Sequence, residues 1–275
     1  MNDVPILPLT KALTIATSDS GGGAGIQADL KTFAVFGVFG VSVLSGVSAQ
    51  NTVEVSGLEY LSSDLVTLQL KAVFDDIGVN AVKIGLIGAP ENAEAVFDFL
   101  SNLNPRPDII LDPVMVSASG FVFLDKKAIS ALKKLFPLAT LVTPNMPEAT
   151  ELTGVSLEKE EDFFLAAEKL LEMGAEQVLI KGGHGKGKQC NDLFYGAQGP
   201  HWYTTDRIDT KNNHGTGCTL SSAIAACLAR GETLEDSIRL AKTFVAGAMT
   251  NSVDLGKGHG PLNHFYPYYI YGKKI

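Results

Sequence analysis

Short apolar runs alternate along this chain with stretches whose apolar residues recur at helical spacing, the pattern of a parallel α/β sheet. Ala12 to Ala16 reads as a buried strand, followed by a loop with glycines at 21, 22, 23 and 25 and a helix from Ile26 to Phe36. Val41 to Val47 is a second strand, and Ser63 to Asp76 predicts a helix with Leu65, Leu68 and Val73 on one face. Further short strands are expected at Ala81 to Ile84, Ile109 to Leu111, Leu141 to Thr143 and Val178 to Ile180. Helices at Glu91 to Leu100, Lys126 to Leu135 and Glu160 to Met173 fall between them. Beyond residue 181 the pattern changes. Gln189 to Tyr195 and Trp202 to Thr204, separated by Gly196 and Gly199, predict an antiparallel hairpin closing one edge. Two helices, Thr219 to Arg230 and Leu234 to Ser252, end the pattern, and no repeat or linker divides the 275 residues, so one domain is expected.

Composition narrows the class without changing the picture. With 45% hydrophobic and 19% charged residues, the chain is neither apolar-poor nor charge-rich enough for disorder. A net charge of -8 without any Lys/Arg run excludes a nucleic-acid footprint. The uncharged stretch Thr32 to Val53 imitates a membrane span. Its glycines and polar residues argue instead for a helix end followed by a buried strand. Met1 to Thr10 lacks the basic start of a signal peptide, and three cysteines make no disulfide framework, so a cytoplasmic location is expected.

In an open parallel sheet, ligands gather outside the carboxyl ends of the strands. The unusual loop residues of this chain sit at those ends: Ser18-Asp19-Ser20 with the glycines, Lys83-Ile84-Gly85, Asp112-Pro113-Val114, Thr143-Pro144-Asn145 and Lys181-Gly182-Gly183. Small residues before the Thr219 helix, Gly215-Thr216-Gly217-Cys218, would leave N–H groups pointing one way at a positive helix end, an anion cradle. The same field would favour the Cys218 thiolate, able to accept a hydroxyl proton. A glycine turn with an inert cysteine is the competing reading. The Gly21 to Gly25 loop fits neither a dinucleotide fingerprint nor a P-loop. Asn145 and Glu148 have the spacing of a capping box, or Glu148 lies near a magnesium ion that keeps its waters. Asp112 is a turn former or holds a metal-bound water, and Lys181 ends a strand where it could neutralise phosphates. Gln50 and Asn51 either read a flat heterocycle or simply close a strand.

Taken together, these segments resemble the hydroxymethylpyrimidine/phosphomethylpyrimidine kinases of thiamine biosynthesis, in the ribokinase-like superfamily. The likeness runs from about Leu13 to Phe265 and is carried by Gly22-Gly23-Ala24-Gly25-Ile26-Gln27-Ala28-Asp29-Leu30-Lys31-Thr32, Ala49-Gln50-Asn51-Thr52, Lys83-Ile84-Gly85, Thr143-Pro144-Asn145, Pro147-Glu148, Lys181-Gly182-Gly183-His184 and His214-Gly215-Thr216-Gly217-Cys218-Thr219. It implies a central, mostly parallel sheet flanked by helices on both faces, without a large lid. It implies Mg-ATP-dependent phosphorylation of 4-amino-5-hydroxymethyl-2-methylpyrimidine and then of its monophosphate. On matching positions it places Cys218 as the base, Gly215, Thr216 and Gly217 as the anion hole, and Lys181, Asn145 and Thr210 at the nucleotide. Glu148 and Asp112 fall near Mg2+. Gln50, Ala24 and Val114 fall at the heterocycle.

The first loop departs from that family, with Thr17 where Gly is usual and Ser20 where Pro is usual; Leu86 stands where many members have Met. Thr17, Asp19 and Leu86 are therefore expected on the substrate side. These departures leave a pyridoxal kinase, or a dual-specificity enzyme, as the alternative, with a non-catalytic ligand-binding relative as a third. The expected partners are ATP and a small heterocyclic alcohol, with no nucleic acid or membrane; a homodimer is left open.

Overall fold

The computed structural model describes residues 9–117, 119–185 and 187–270. All nine of its strands join one sheet. In chain order they are β1 (Lys11–Asp19), β2 (Phe39–Gln50), β3 (Val55–Tyr60), β4 (Ala81–Ile84), β5 (Asp108–Leu111), β6 (Leu141–Val142), β7 (Val178–Ile180), β8 (Gln189–Gly196) and β9 (Gly199–Asp206). Their spatial order is β3-β2-β1-β4-β5-β6-β7-β8-β9. The six strands from β2 to β7 in that order run parallel, while β3 at one edge and the β8–β9 hairpin at the other are antiparallel.

Strand periodicity divides the core in two. Leu13, Ile15, Val82, Ile84, Ile109 and Leu111 face one layer, packed against helices α2 (Ser63–Ala72), α3 (Pro90–Ser101), α4 (Lys126–Lys133), α5 (Met146–Thr153) and α6 (Glu160–Glu172). Ala12, Ile110, Leu141 and Leu179 face the other, against α1 (Gly25–Val35), α7 (Thr216–Ala229), α8 (Leu234–Thr250) and the short α9 (Tyr266–Ile270). Residues 32–53, the span-like stretch, are the end of α1, a turn, and β2. No helix among the described residues is long and apolar enough to cross a membrane.

Two expectations change. The buried face of α2 carries Val66 and Leu70 and continues to Val73, while Leu65 and Leu68 are exposed. Three- and four-residue steps both keep to one side of a helix, so spacing alone offers more than one stripe here, and only the layer it docks on selects one. The helix also gives way to a π-turn at Val73–Ile77. The strand β3 was invisible to pattern reading because an exposed edge strand, here Val-Ser-Gly-Leu-Glu-Tyr, needs no apolar run.

Candidate active site

The sheet order reverses at β1, whose chain leads to β2 on one side while β4 lies on the other. A cavity of about 1090 Å³ opens at this carboxyl end, where such a reversal leaves a crevice. It brings together Thr17, Asp19, Ala24, Gln50, Leu86, Asp112, Val114, Asn145, Glu148, Lys181, Thr210, Gly215, Thr216, Gly217 and Cys218, but not Asn51, whose Oδ1 accepts from the Val53 and Glu54 N–H groups and so closes the turn after β2.

At its floor two helix starts interlock. Gly215, the N-cap of α7, has φ +84°, and a Cβ there would lie 1.8 Å from the Gly23 carbonyl oxygen. A Cβ on Gly25, which opens α1, would meet the Thr17 carbonyl at 2.3 Å. The glycines thus let the α1 and α7 termini touch backbone to backbone. Among the described residues, the N–H groups of Gly217 and Cys218 find no backbone acceptor, as the first turn of a helix leaves them.

Cys218 is half-buried in the first turn of α7. Here the structure departs from expectation. Burial pushes its thiol up to about 11, with Asp29 and Asp112 adding to the shift and Lys83 and the Gly25 N–H opposing it. One helix end does not offset that loss of hydration, so the free site carries a thiol.

Beneath it lies a fully buried ion pair, Lys83 Nζ with Asp29 at 2.8 and 2.9 Å, whose carboxylate also accepts from Thr14 Oγ1 and Ser222 Oγ, both at 2.6 Å. Burial works against the Lys83 charge, but Asp29 above all, then Cys218 and Asp112, hold its ammonium above the ordinary value. This quartet joins β1, β4, α1 and α7, and so fixes the two helix starts at one height over the sheet.

Along the cavity, Lys181 Nζ donates to Asp112 Oδ1 at 2.7 Å, and Asp112 also accepts from Thr143 and Ser221. A Cβ on Gly217 would lie 3.1 Å from Lys181 Nζ, so that ammonium abuts the glycine turn. Burial opposes the Lys181 charge, yet Asp112 and Glu148 raise its affinity for the proton overall. Asn145 and Glu148 do form the capping box of α5, with reciprocal bonds of 2.9 and 2.7 Å, and both still line the cavity. Burial pushes the Glu148 carboxyl up to about 7; Lys181 pulls it down and Asp112 pushes it up. No group of three or more His, Cys, Asp or Glu side chains among the described residues is arranged to hold a metal by itself.

The opposite end is built on Asp19. Its carboxylate accepts from the N–H groups of Gly21, Gly23 and Ala24 at 2.8, 3.0 and 2.9 Å and from His214 Nε2 at 3.0 Å. Burial raises this carboxyl, but the bonds from His214, Ala24 and Gly21 outweigh it and hold it below its ordinary value. Its oxygens are occupied in shaping the loop. Thr17 likewise spends its hydroxyl on Ser45 Oγ and the Leu86 carbonyl. Ser20 Oγ donates to the Gln50 carbonyl at 2.7 Å and accepts from the Gln50 N–H at 2.8 Å, a clamp that a proline could not make.

Three other contributions received no role from the sequence. His214 sits between Asp19 and Gln50. Asp192 and Lys242 form a second buried ion pair on the wall, from β8 and α8, 50 residues apart. Val116 and Phe123 extend the apolar wall that Val114 begins. Met249 and Val245, at helical spacing on α8, line the cavity as well, and core packing explains that spacing equally well.

Residues 19–263 match the family model described as phosphomethylpyrimidine kinase. The chain belongs to that family. A hydroxymethylpyrimidine/phosphomethylpyrimidine kinase from Rhizobium meliloti is 45% identical over 259 residues, 93% of this chain and 97% of the relative. Among solved structures, the pyridoxal kinase from Staphylococcus aureus in complex with AMP-PCP and pyridoxal superposes with a TM-score of 0.87 at 34% identity, covering 96% of both chains. A phosphomethylpyrimidine kinase from Clostridium difficile 630 gives 0.77 at 40% identity, covering 87% of this chain and 99% of that one. The fold is ribokinase-like, and the chain is a phosphotransferase of this family.

Proposed function

We propose that this kinase transfers the γ-phosphoryl group of ATP to the hydroxymethyl oxygen of 4-amino-5-hydroxymethyl-2-methylpyrimidine, and then to the monophosphate so formed. The observation that carries this reading is that Cys218 and its glycine turn line one cavity with Gln50, which meets His214 just before the turn, and with Lys181, whose ammonium abuts Gly217. In the transfer, the hydroxymethyl oxygen bonds to the γ-phosphorus while the bond to the β–γ bridging oxygen breaks, and ADP departs. The hydroxyl proton passes to the Cys218 thiolate. Since the transition state is loose, that proton leaves late, and a minor thiolate population suffices as base. The Gly217 and Cys218 N–H groups and the α7 terminus bind the equatorial oxygens, and Lys181 neutralises charge beside them.

Glu148 and Asp112 are the carboxylates that would hold Mg2+. Asp112 pushes the Glu148 carboxyl up, so a cation beside the two would favour the ionised Glu148, and hard oxygen donors suit an ion that keeps most of its waters. Such an ion would supply charge neutralisation on the nucleotide. The 275 residues then act as one kinase domain in the cytoplasm. A second reading, pyridoxal phosphorylation, is favoured by the close superposition on the Staphylococcus aureus pyridoxal kinase. Incubation with Mg-ATP and each heterocycle, with products followed by mass, separates the two. Pyrimidine diphosphate supports the proposal, and phosphorylation of pyridoxal alone refutes it.

A further inference from the structure

Every donor around Asp19 is accounted for, and that fixes the direction of a hydrogen-bond chain reaching the substrate end. Oδ1 accepts from the Gly21 N–H, and Oδ2 accepts from those of Gly23 and Ala24. A proton on either oxygen would oppose one of these donors, so Asp19 is ionised and His214 Nε2, 3.0 Å away, must be the donor. The imidazole has little freedom to do otherwise. The His214 N–H donates to the Gly260 carbonyl, and a Cβ on Gly23 would fall 2.3 Å from the ring's Cδ2, so the ring is pressed against the glycine loop.

One terminal atom of the Gln50 amide lies 3.2 Å from this same Nε2, and Ser48 Oγ lies 3.3 Å from the other. Nitrogen toward His214 would set two N–H donors face to face. It would also require the single Ser48 proton to serve both the amide oxygen and the Ser18 carbonyl, 3.0 Å away. Oxygen toward His214 removes both conflicts. Nε2–H of His214 is then shared between Asp19 and the Gln50 carbonyl, Gln50 donates to Ser48, and Ser48 donates to Ser18.

We infer that His214 is a positioning residue which, held by Asp19, fixes the Gln50 amide so that its remaining N–H faces the cavity and selects heterocycles presenting an acceptor, such as a ring nitrogen lone pair. The inference rests on the kinase reading above and deepens it. It also ties substrate recognition to chemistry, because His214 immediately precedes the glycine turn, and its backbone sets where that turn begins.

Steady-state kinetics test it, with turnover of each heterocycle by the wild-type enzyme measured first. If only pyridoxal is turned over, the pyrimidine reading fails, and the variants are run on pyridoxal instead. Gln50→Glu keeps the shape and the acceptor but removes the donor. It is expected to raise KM for the heterocycle roughly ten- to a hundredfold, with KM for ATP within about twofold of wild type. His214→Phe keeps a ring on Gly23 and releases the amide. It should raise the same KM by roughly tenfold, and this effect should vanish in a Gln50→Ala background. Unchanged heterocycle binding in Gln50→Glu overturns the inference, since the carbonyl would then be the working group. An equal effect of His214→Phe with and without Gln50, or one that falls on ATP, overturns it as well, by assigning His214 to the turn alone.

Discussion

Gly215→Ala is the sharpest probe of the cradle between α1 and α7. An alanine at φ +84° adopts a conformation that costs an L-residue about 1–2 kcal/mol. Its methyl would also sit 1.8 Å from the Gly23 carbonyl oxygen, where real contacts stay beyond 3.0 Å. The two backbones must therefore separate by roughly 1 Å, a displacement that at a reacting centre costs on the order of a hundredfold in rate. The neighbouring segment cannot yield cheaply, because Gly23 is pinned through its N–H to Asp19 and by the His214 ring against it. We expect kcat/KM to fall by about a hundredfold or more, with Tm lower by roughly 2–6 °C. Gly57→Ala, on the exposed edge strand β3 where a Cβ meets only Ala49 at 3.5 Å, serves as control and should change neither. Steady-state turnover and a thermal melt read both variants. A Gly215→Ala enzyme with wild-type turnover would refute the claim that the close approach of these helix starts sets the anion site.

Cys218→Ala should lower kcat by roughly 10²–10⁴-fold with nucleotide affinity little changed, measured by turnover and by ATP titration. In a Cys190→Ser, Cys227→Ser background, alkylation of Cys218 by iodoacetamide should keep accelerating as pH rises toward about 11; a plateau near neutrality would contradict the buried thiol. Lys83→Met leaves Asp29 buried without its cation and should cost about 3–5 kcal/mol in denaturant unfolding, most of it recovered in Lys83→Met/Asp29→Leu. His264 is buried beside Thr219 and held down to about 4 by burial and by Lys31, so the fold favours its neutral form. Its contribution is complete above the ordinary value of 6.5 and is lost as pH falls toward 4, about 3 kcal/mol in all. His264→Gln should flatten the Tm profile across that window.

The apolar runs and helical repeats determined most of this protein. They placed the parallel strands, the closing hairpin and the helices between, because burial on both faces of a sheet demands apolar runs that can be read in one dimension. They also put the unusual residues at strand ends, and residue types at known spacings there pointed to phosphoryl transfer. What tertiary structure decided was whatever depends on partners far away in the chain. The working stripe of α2 was set by the sheet it meets, and β3 exists through pairing with β2 rather than through its own composition. Helix position alone predicted a thiolate at Cys218; burial over the Asp29–Lys83 pair made it a thiol. His214 acquires its role only where Asp19, 195 residues away, is brought to within 3.0 Å of it. Hydration and charge are properties of a three-dimensional neighbourhood, so the chemistry could be named from the sequence, while the proton positions that govern it could not.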